Sequence, residues 1–192
     1  PAGLPFIGGA LLLAVITAFW GGWAYATIFI VFALFFLFFF RDPHRAVTNR
    51  SDAVLSPADG RVMVAGAPTG QAFPPGQWQQ ISIFLSPMDV HVNRMPIGGR
   101  VTKVEYHPGR FLPAFKVEAG DLNEYTEVWI DHGGQTIVVR QIVGILARRI
   151  VCRTTVGAEV KAGDRYGVMK FGSRMDLFLP LDAKVLVKVG DK

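Results

Sequence analysis

The 192 residues suffice for one modest domain with an appendage, and charge divides the chain that way: none of the 20 basic and 15 acidic side chains precedes Arg41. A mean hydropathy of +0.32 therefore averages an apolar head and a polar body. The formal charge of +5 does not point to nucleic acid, because the basic residues are dispersed and no zinc-ligand or RNA-binding spacing accompanies them; attraction to an anionic lipid surface explains it better.

Leu4–Trp20 and Ala24–Phe40 are apolar runs of 17 residues each, divided by Gly21-Gly22-Trp23. Crossing a hydrocarbon core of about 30 Å takes roughly 17 to 25 helical residues, so each run sits at the lower limit. Either the pair forms a helical hairpin through a membrane, or one run crosses while the other lies partly in the interface. A stretch of this length without a basic n-region does not read as a cleaved signal peptide. Trp20, Trp23 and Tyr25 cluster at the junction, where an aromatic belt would meet a headgroup boundary. Arg41, Arg45 and Arg50 follow, and the positive-inside rule then puts the remaining domain on the cytoplasmic side of the cell (inner) membrane. A buried core hairpin of a soluble protein is disfavoured by so long an uncharged stretch.

After Val54 short apolar or alternating runs are punctuated by glycine and proline: 61–65, 80–85, 101–106, 127–131, 136–142, 149–153, 174–179 and 184–189. Strands of this length and spacing imply an antiparallel sheet. Cys152 is the single cysteine, so no internal disulfide forms, and without CxxC or a Cys/His cluster no metal is expected. Between apolar neighbours its thiol reads as buried and inert. Val156–Gly163 reads as a hairpin turn between strands, and Val189-Gly190-Asp191-Lys192 begins a second such turn. A few further C-terminal residues are expected from that, and Pro1 points to a trimmed N-terminus. The fold class expected is mainly β (α+β): an N-terminal hydrophobic helical hairpin, 1–40, followed by a compact antiparallel β domain, 41–192.

Three motifs fall in loops: Ser56-Pro57-Ala58-Asp59-Gly60, the block from Phe84 to Pro96 containing His91 and Arg94, and Lys170-Phe171-Gly172-Ser173-Arg174. They supply a carboxylate, an imidazole and a hydroxyl, a set recognised by geometry rather than chain order. Singly, each has a bland reading. Asp59 before Gly60 is an ordinary turn pair, His91 between valines fits a strand, and loop serines are common.

Taken together with Phe39-Phe40-Arg41-Asp42-Pro43 and Tyr106-His107-Pro108-Gly109-Arg110-Phe111, these motifs resemble the phosphatidylserine decarboxylase family, most closely its short bacterial and archaeal branch. The resemblance runs from about Phe39 to Lys192. It implies a proenzyme that cuts itself between Gly172 and Ser173, giving a β chain 1–172 and an α chain 173–192 capped by a covalent pyruvoyl group derived from Ser173. That ketone would condense with the amine of phosphatidylserine as a Schiff base and take up the charge left by departing carbon dioxide, yielding phosphatidylethanolamine.

By the same resemblance Asp59 and a histidine of the middle block assist cleavage and catalysis. The long-form enzymes carry two histidines three residues apart there; this sequence has His91 at the first and Arg94 at the second. An arginine is no base near neutral pH, so His91 is expected to serve both steps, with Arg94 free to meet a lipid phosphate or carboxylate. His107 and Arg110 flank a Pro-Gly turn that the resemblance sets beside the substrate. The implied partners are phosphatidylserine, the lipid bilayer and the sister chain of the same precursor, with homo-oligomerisation left open and no nucleic acid. A membrane-anchored serine hydrolase using Asp59, His91 and Ser173 without processing, or a non-catalytic β adaptor suggested by the 156–163 hairpin, would each leave one uncut chain.

Overall fold

The computed structural model describes residues 3–47, 50, 52–146 and 149–192, and the chain forms two compact units, Pro1–Pro43 and His44–Lys192. In the first, α1 (Leu4–Trp20) and α2 (Trp23–Phe39) are joined at Gly21-Gly22, where Gly22 takes a φ of 88° that a side chain would resist. Small side chains let the helices approach: Ala10, Ala14, Ala26 and Ala33 are buried, while Phe19, Trp20, Trp23 and Tyr25 are exposed. Each helix has 17 residues, about 25 Å at 1.5 Å per residue. Among the described residues no helix is long and apolar enough to cross a membrane.

The second unit is the antiparallel β domain that the alternating runs predict. Its strands are β1 (Arg61–Gly66), β2 (Gln79–Leu85), β3 (Val92–Arg94), β4 (Gly99–His107), β5 (Tyr125–His132), β6 (Gln135–Ile142), β7 (Val151–Cys152), β8 (Glu159–Val160), β9 (Arg165–Val168) and β10 (Ser173–Leu179), with one short helix, α3 (Ala119–Leu122), before β5. A seven-stranded sheet runs β1-β2-β10-β6-β5-β4-β8, and a three-stranded sheet runs β3-β9-β7. The main core lies between them: Ile83, Leu85, Val128, Val139, Met175 and Leu177 from the large sheet meet Met95, Tyr166 and Met169 from around the small one.

Two local expectations are corrected. Lys184–Val189 forms no strand: among the described residues the main-chain bonds between this tail and the sheet are at Val62, which donates to the Asp191 carbonyl (2.9 Å) and accepts from the Gly190 amide (2.9 Å). The 156–163 segment is more than a turn, since it contains β8, which extends the large sheet by pairing with Gly99 and Arg100. The described residues also include the short β3 and β9, whose length hides their alternation.

Strand register positions the site. Arg61, Phe84, Arg174, Ile142, Tyr125 and His107 form one cross-strand row. Beyond that row, at a single end of the sheet, lie the segments 57–60, 86–91, 108–124 and 143–146 and the turn 170–172.

Candidate active site

β10 lies inside the large sheet between β2 and β6, and all seven of its residues are buried. Its alternation sends Met175, Leu177 and Leu179 into the main core, with Ser173 on the same face, while Arg174, Asp176 and Phe178 face the other way. Ser173, opposite Leu85 of β2, is fully buried, and its Oγ has no hydrogen-bond partner among the described residues. Leaving a buried hydroxyl unpaired costs about 1–3 kcal/mol, an expense that folding alone does not require.

The chain enters β10 through two successive left-handed residues, Phe171 (φ 57°) and Gly172 (φ 78°). Glycine adopts this conformation freely; a phenylalanine does so at a cost of roughly 1–2 kcal/mol, so the turn is held by its surroundings. The Gly172 amide donates to His91 Nε2 (3.3 Å), and His91 Nδ1 donates to the Asp89 carbonyl (2.9 Å). An amide only donates and a carbonyl only accepts, so these bonds place the imidazole proton on Nδ1 and the lone pair on Nε2, beside Gly172. The Met169 amide bonds the His91 carbonyl (3.2 Å), tying the two loops a second time. On its far side the Gly172 carbonyl lies against Gly144, where an added Cβ would overlap the oxygen.

Asp89 holds this arrangement from below. Its carboxylate accepts from the Ser86 amide (2.9 Å) and hydroxyl (2.7 Å), with Lys192 Nζ at 3.4 Å. Burial pushes the carboxyl up, but the Ser86 bonds and the Lys192 charge outweigh it and hold Asp89 below its ordinary 3.8. Neither Asp89 nor Gly144 was singled out from the sequence. The Ser86-x-x-Asp89 spacing was a legible turn signal; the Gly144 contact, between residues far apart in the chain, left none.

The remaining expected site residues spread around the same end. Asp59 pairs its half-exposed carboxylate with Arg45, while the orienting place on His91 Nδ1 belongs to the Asp89 carbonyl. Arg94 sends Nη1 to the Gly163 carbonyl (3.1 Å) and its amide to Pro57 (2.9 Å), tying the 161–164 turn and the Asp59 loop to β3. His107 stacks on Tyr125 (ring centroids 4.4 Å apart) with Glu105 at 3.5 Å, and Arg110 is exposed, its main chain bonded to Leu122 and Glu124. Glu105, His107 and Glu127 each bring one ligand atom within 4.8 Å of the others, but Glu127 already accepts from Arg140 and Trp129, so a cation there would have to displace them. Cys152 is half-buried rather than buried, and burial pushes its thiol up. A cavity of about 700 Å³, lined by Val54, Ile81, Leu179 and Leu186 among others, includes none of Ser173, His91 and Asp59.

Beneath the turn, the outer face of the sheet carries a buried ionic network. Arg174 bonds both carboxylate oxygens of Asp176 (2.6 and 2.9 Å) and the Ser82 hydroxyl (3.0 Å); Gln80 donates to Ser82 and Asp176 (both 3.0 Å). One pair along, Arg140 bonds Glu127 and the Ala72 and Gly120 carbonyls. The scissile position expected from sequence thus sits between a strained turn and a strand fixed on both faces.

The family model described as phosphatidylserine decarboxylase matches residues 32–192. Proteins named phosphatidylserine decarboxylase proenzyme are similar over almost the whole chain. The one from Nitrosomonas europaea is 43% identical over 191 residues, covering 99% of this chain and 88% of its own length. Those from Symbiobacterium thermophilum and Geotalea daltonii are 42% identical over 191 residues, covering 99% of this chain and 88% and 89% of their own lengths. The chain belongs to the phosphatidylserine decarboxylase family.

Proposed function

We propose that this chain is a lyase that decarboxylates phosphatidylserine to phosphatidylethanolamine, using a pyruvoyl group made from its own Ser173. The observation that carries the reading is the buried, unpartnered Ser173 Oγ beside a left-handed glycine whose amide rests on His91 Nε2. An orphaned hydroxyl at the head of a buried strand fits a residue destined to become a ketone, because the conversion removes the unmet donor. Membership of a family whose relatives are named proenzymes supports the self-processing.

In this reading Ser173 Oγ attacks the Gly172 carbonyl carbon. The C–N bond gives way to a C–O bond, and the hydroxyl proton passes through His91 Nε2 to the freed Ser173 nitrogen. Elimination then breaks the Ser173 Cα–H and Cβ–Oγ bonds, the Cα proton passing to His91 Nε2, and leaves a carboxylate on Gly172 and a dehydroalanine at residue 173, which takes up water and releases ammonia. The pyruvoyl ketone supplies an electron sink for the charge left when carbon dioxide departs. His91 holds the proton needed to complete that exchange, and burial of residue 173 keeps bulk water away. Asp59 assists from the neighbouring loop, Arg94 steadies the loops between them, and His107 and Arg110 meet the lipid headgroup. The α chain 173–192 stays in place through β10, and the apolar hairpin anchors the protein in the cell (inner) membrane with the β domain on the cytoplasmic side.

Release of carbon dioxide from carboxyl-labelled phosphatidylserine tests the reading. The wild-type chain releases it, and Ser173→Ala releases none; a Ser173→Ala protein that retained the activity would overturn it.

A further inference from the structure

The loops that meet at the Ser173 end carry exposed apolar side chains from three separate segments. Met88 is 59% exposed on the first, Phe115 60% and Val117 55% on the second, Ile145 52% and Leu146 66% on the third. The segments touch one another. Asn123 donates to the Val143 carbonyl (2.8 Å), the Val143 amide donates to Glu124 (3.1 Å), and the turn at Gly172 joins Gly144 on one side and His91 on the other. Single exposed apolar residues are ordinary; several on adjoining loops around one site mark a surface made to be covered.

Charge says what covers it. Arg110, Lys116 and Arg149 stand exposed among the apolar residues. Of the acidic groups nearby, Asp89 is buried in its own turn, Asp121 accepts from the Gln71 and Ala72 amides, and Glu124, half-buried, accepts from the Tyr106 hydroxyl, leaving Glu118 exposed. Apolar side chains interleaved with cations suit the headgroup boundary of an anionic bilayer, where the former reach the acyl region and each of the latter is worth about fivefold in binding.

We infer that this loop face docks onto an anionic bilayer, with Val117, Ile145 and Leu146 beneath the headgroups and Lys116 and Arg149 among them. Because Ser173 itself is fully buried, the docked face would admit a serine headgroup while its acyl chains stay in the membrane, a consequence that rests on the proposed decarboxylation.

The test uses the full chain on vesicles of phosphatidylserine and phosphatidylcholine, with single cysteines introduced as Leu146→Cys, Val117→Cys or Gln135→Cys in a Cys152→Ser background and labelled with an environment-sensitive fluorophore. Gln135 opens β6 at the opposite end of the sheet. Lipids brominated along their acyl chains should quench the labels at 146 and 117 severalfold more than the label at 135, and more strongly as the phosphatidylserine fraction rises. Equal quenching at the three positions, or none at 146, would overturn docking; a protein partner for this face predicts that second result. The triple variant Val117→Ser/Ile145→Ser/Leu146→Ser should turn over vesicle-borne phosphatidylserine about tenfold more slowly, yet process a water-soluble short-chain analogue at the wild-type rate. Loss on both substrates, or on neither, counts against the inference. Selective quenching without any decarboxylation would leave docking standing and remove the decarboxylase reading, so the two fail separately.

Discussion

His91 is held from both ring nitrogens by main-chain groups, and that decides its chemistry: the lone pair on Nε2 faces Gly172, and the Asp89 carbonyl prevents the ring from turning over. His91→Ala should therefore slow appearance of the α chain by roughly 10²–10⁴-fold, the usual worth of a positioned proton acceptor, as read from a time course of cleavage on denaturing gels. Gly144→Ala probes the other side of the same bond. Its methyl would displace the Gly172 carbonyl, so cleavage should slow although no titrating group has changed. Asp89 gives the turn a pH dependence. Its folded carboxyl titrates below the unfolded 3.8, so the ionised Ser86–Asp89 turn contributes stability that is present above that value and lost as pH falls through the lower folded one. In an acid titration followed by tryptophan fluorescence, Asp89→Asn should lose stability at neutral pH and show a shallower loss on acidification.

At the scale of the element, the proposed reaction asks β10 to carry Ser173 at its first position and to hold after a cut just before it. The Arg174–Asp176 pair and its bonds to Ser82 and Gln80 do this on the outer face, and Met175 and Leu177 on the inner. Arg174→Met strands a buried carboxylate and should cost about 3–5 kcal/mol in denaturant unfolding, while Arg174→Met/Asp176→Leu should recover most of it, because replacing both charges removes the uncompensated one. Elements with clear alternation, such as 80–85 and 136–142, were legible in the sequence to within a residue. The apolar run 184–189 misled because alternation reports a face to be buried and not whether a partner strand lies alongside. β9, Arg165–Val168, hid because it is short and its alternation is broken by Gly167, which the close approach of Gln141 requires.

Over the whole molecule, the charge-free head and the β body were legible from composition, and the structure divides the chain at Pro43. Ser173 and His91 stood out in the sequence through their motifs, and register brings their loops to one end of the sheet. The main-chain half of the site was not legible. The Asp89 carbonyl on His91, the Gly144 backing and the left-handed Phe171 are consequences of tertiary packing that no side-chain pattern announces. All of these features converge on one peptide bond, and intact mass spectrometry of the purified protein under denaturing conditions interrogates it directly. Two species are predicted: one ending at Gly172, and one comprising 173–192 that is lighter than its encoded sequence by one ammonia. A single uncut chain that still decarboxylates phosphatidylserine would contradict the account.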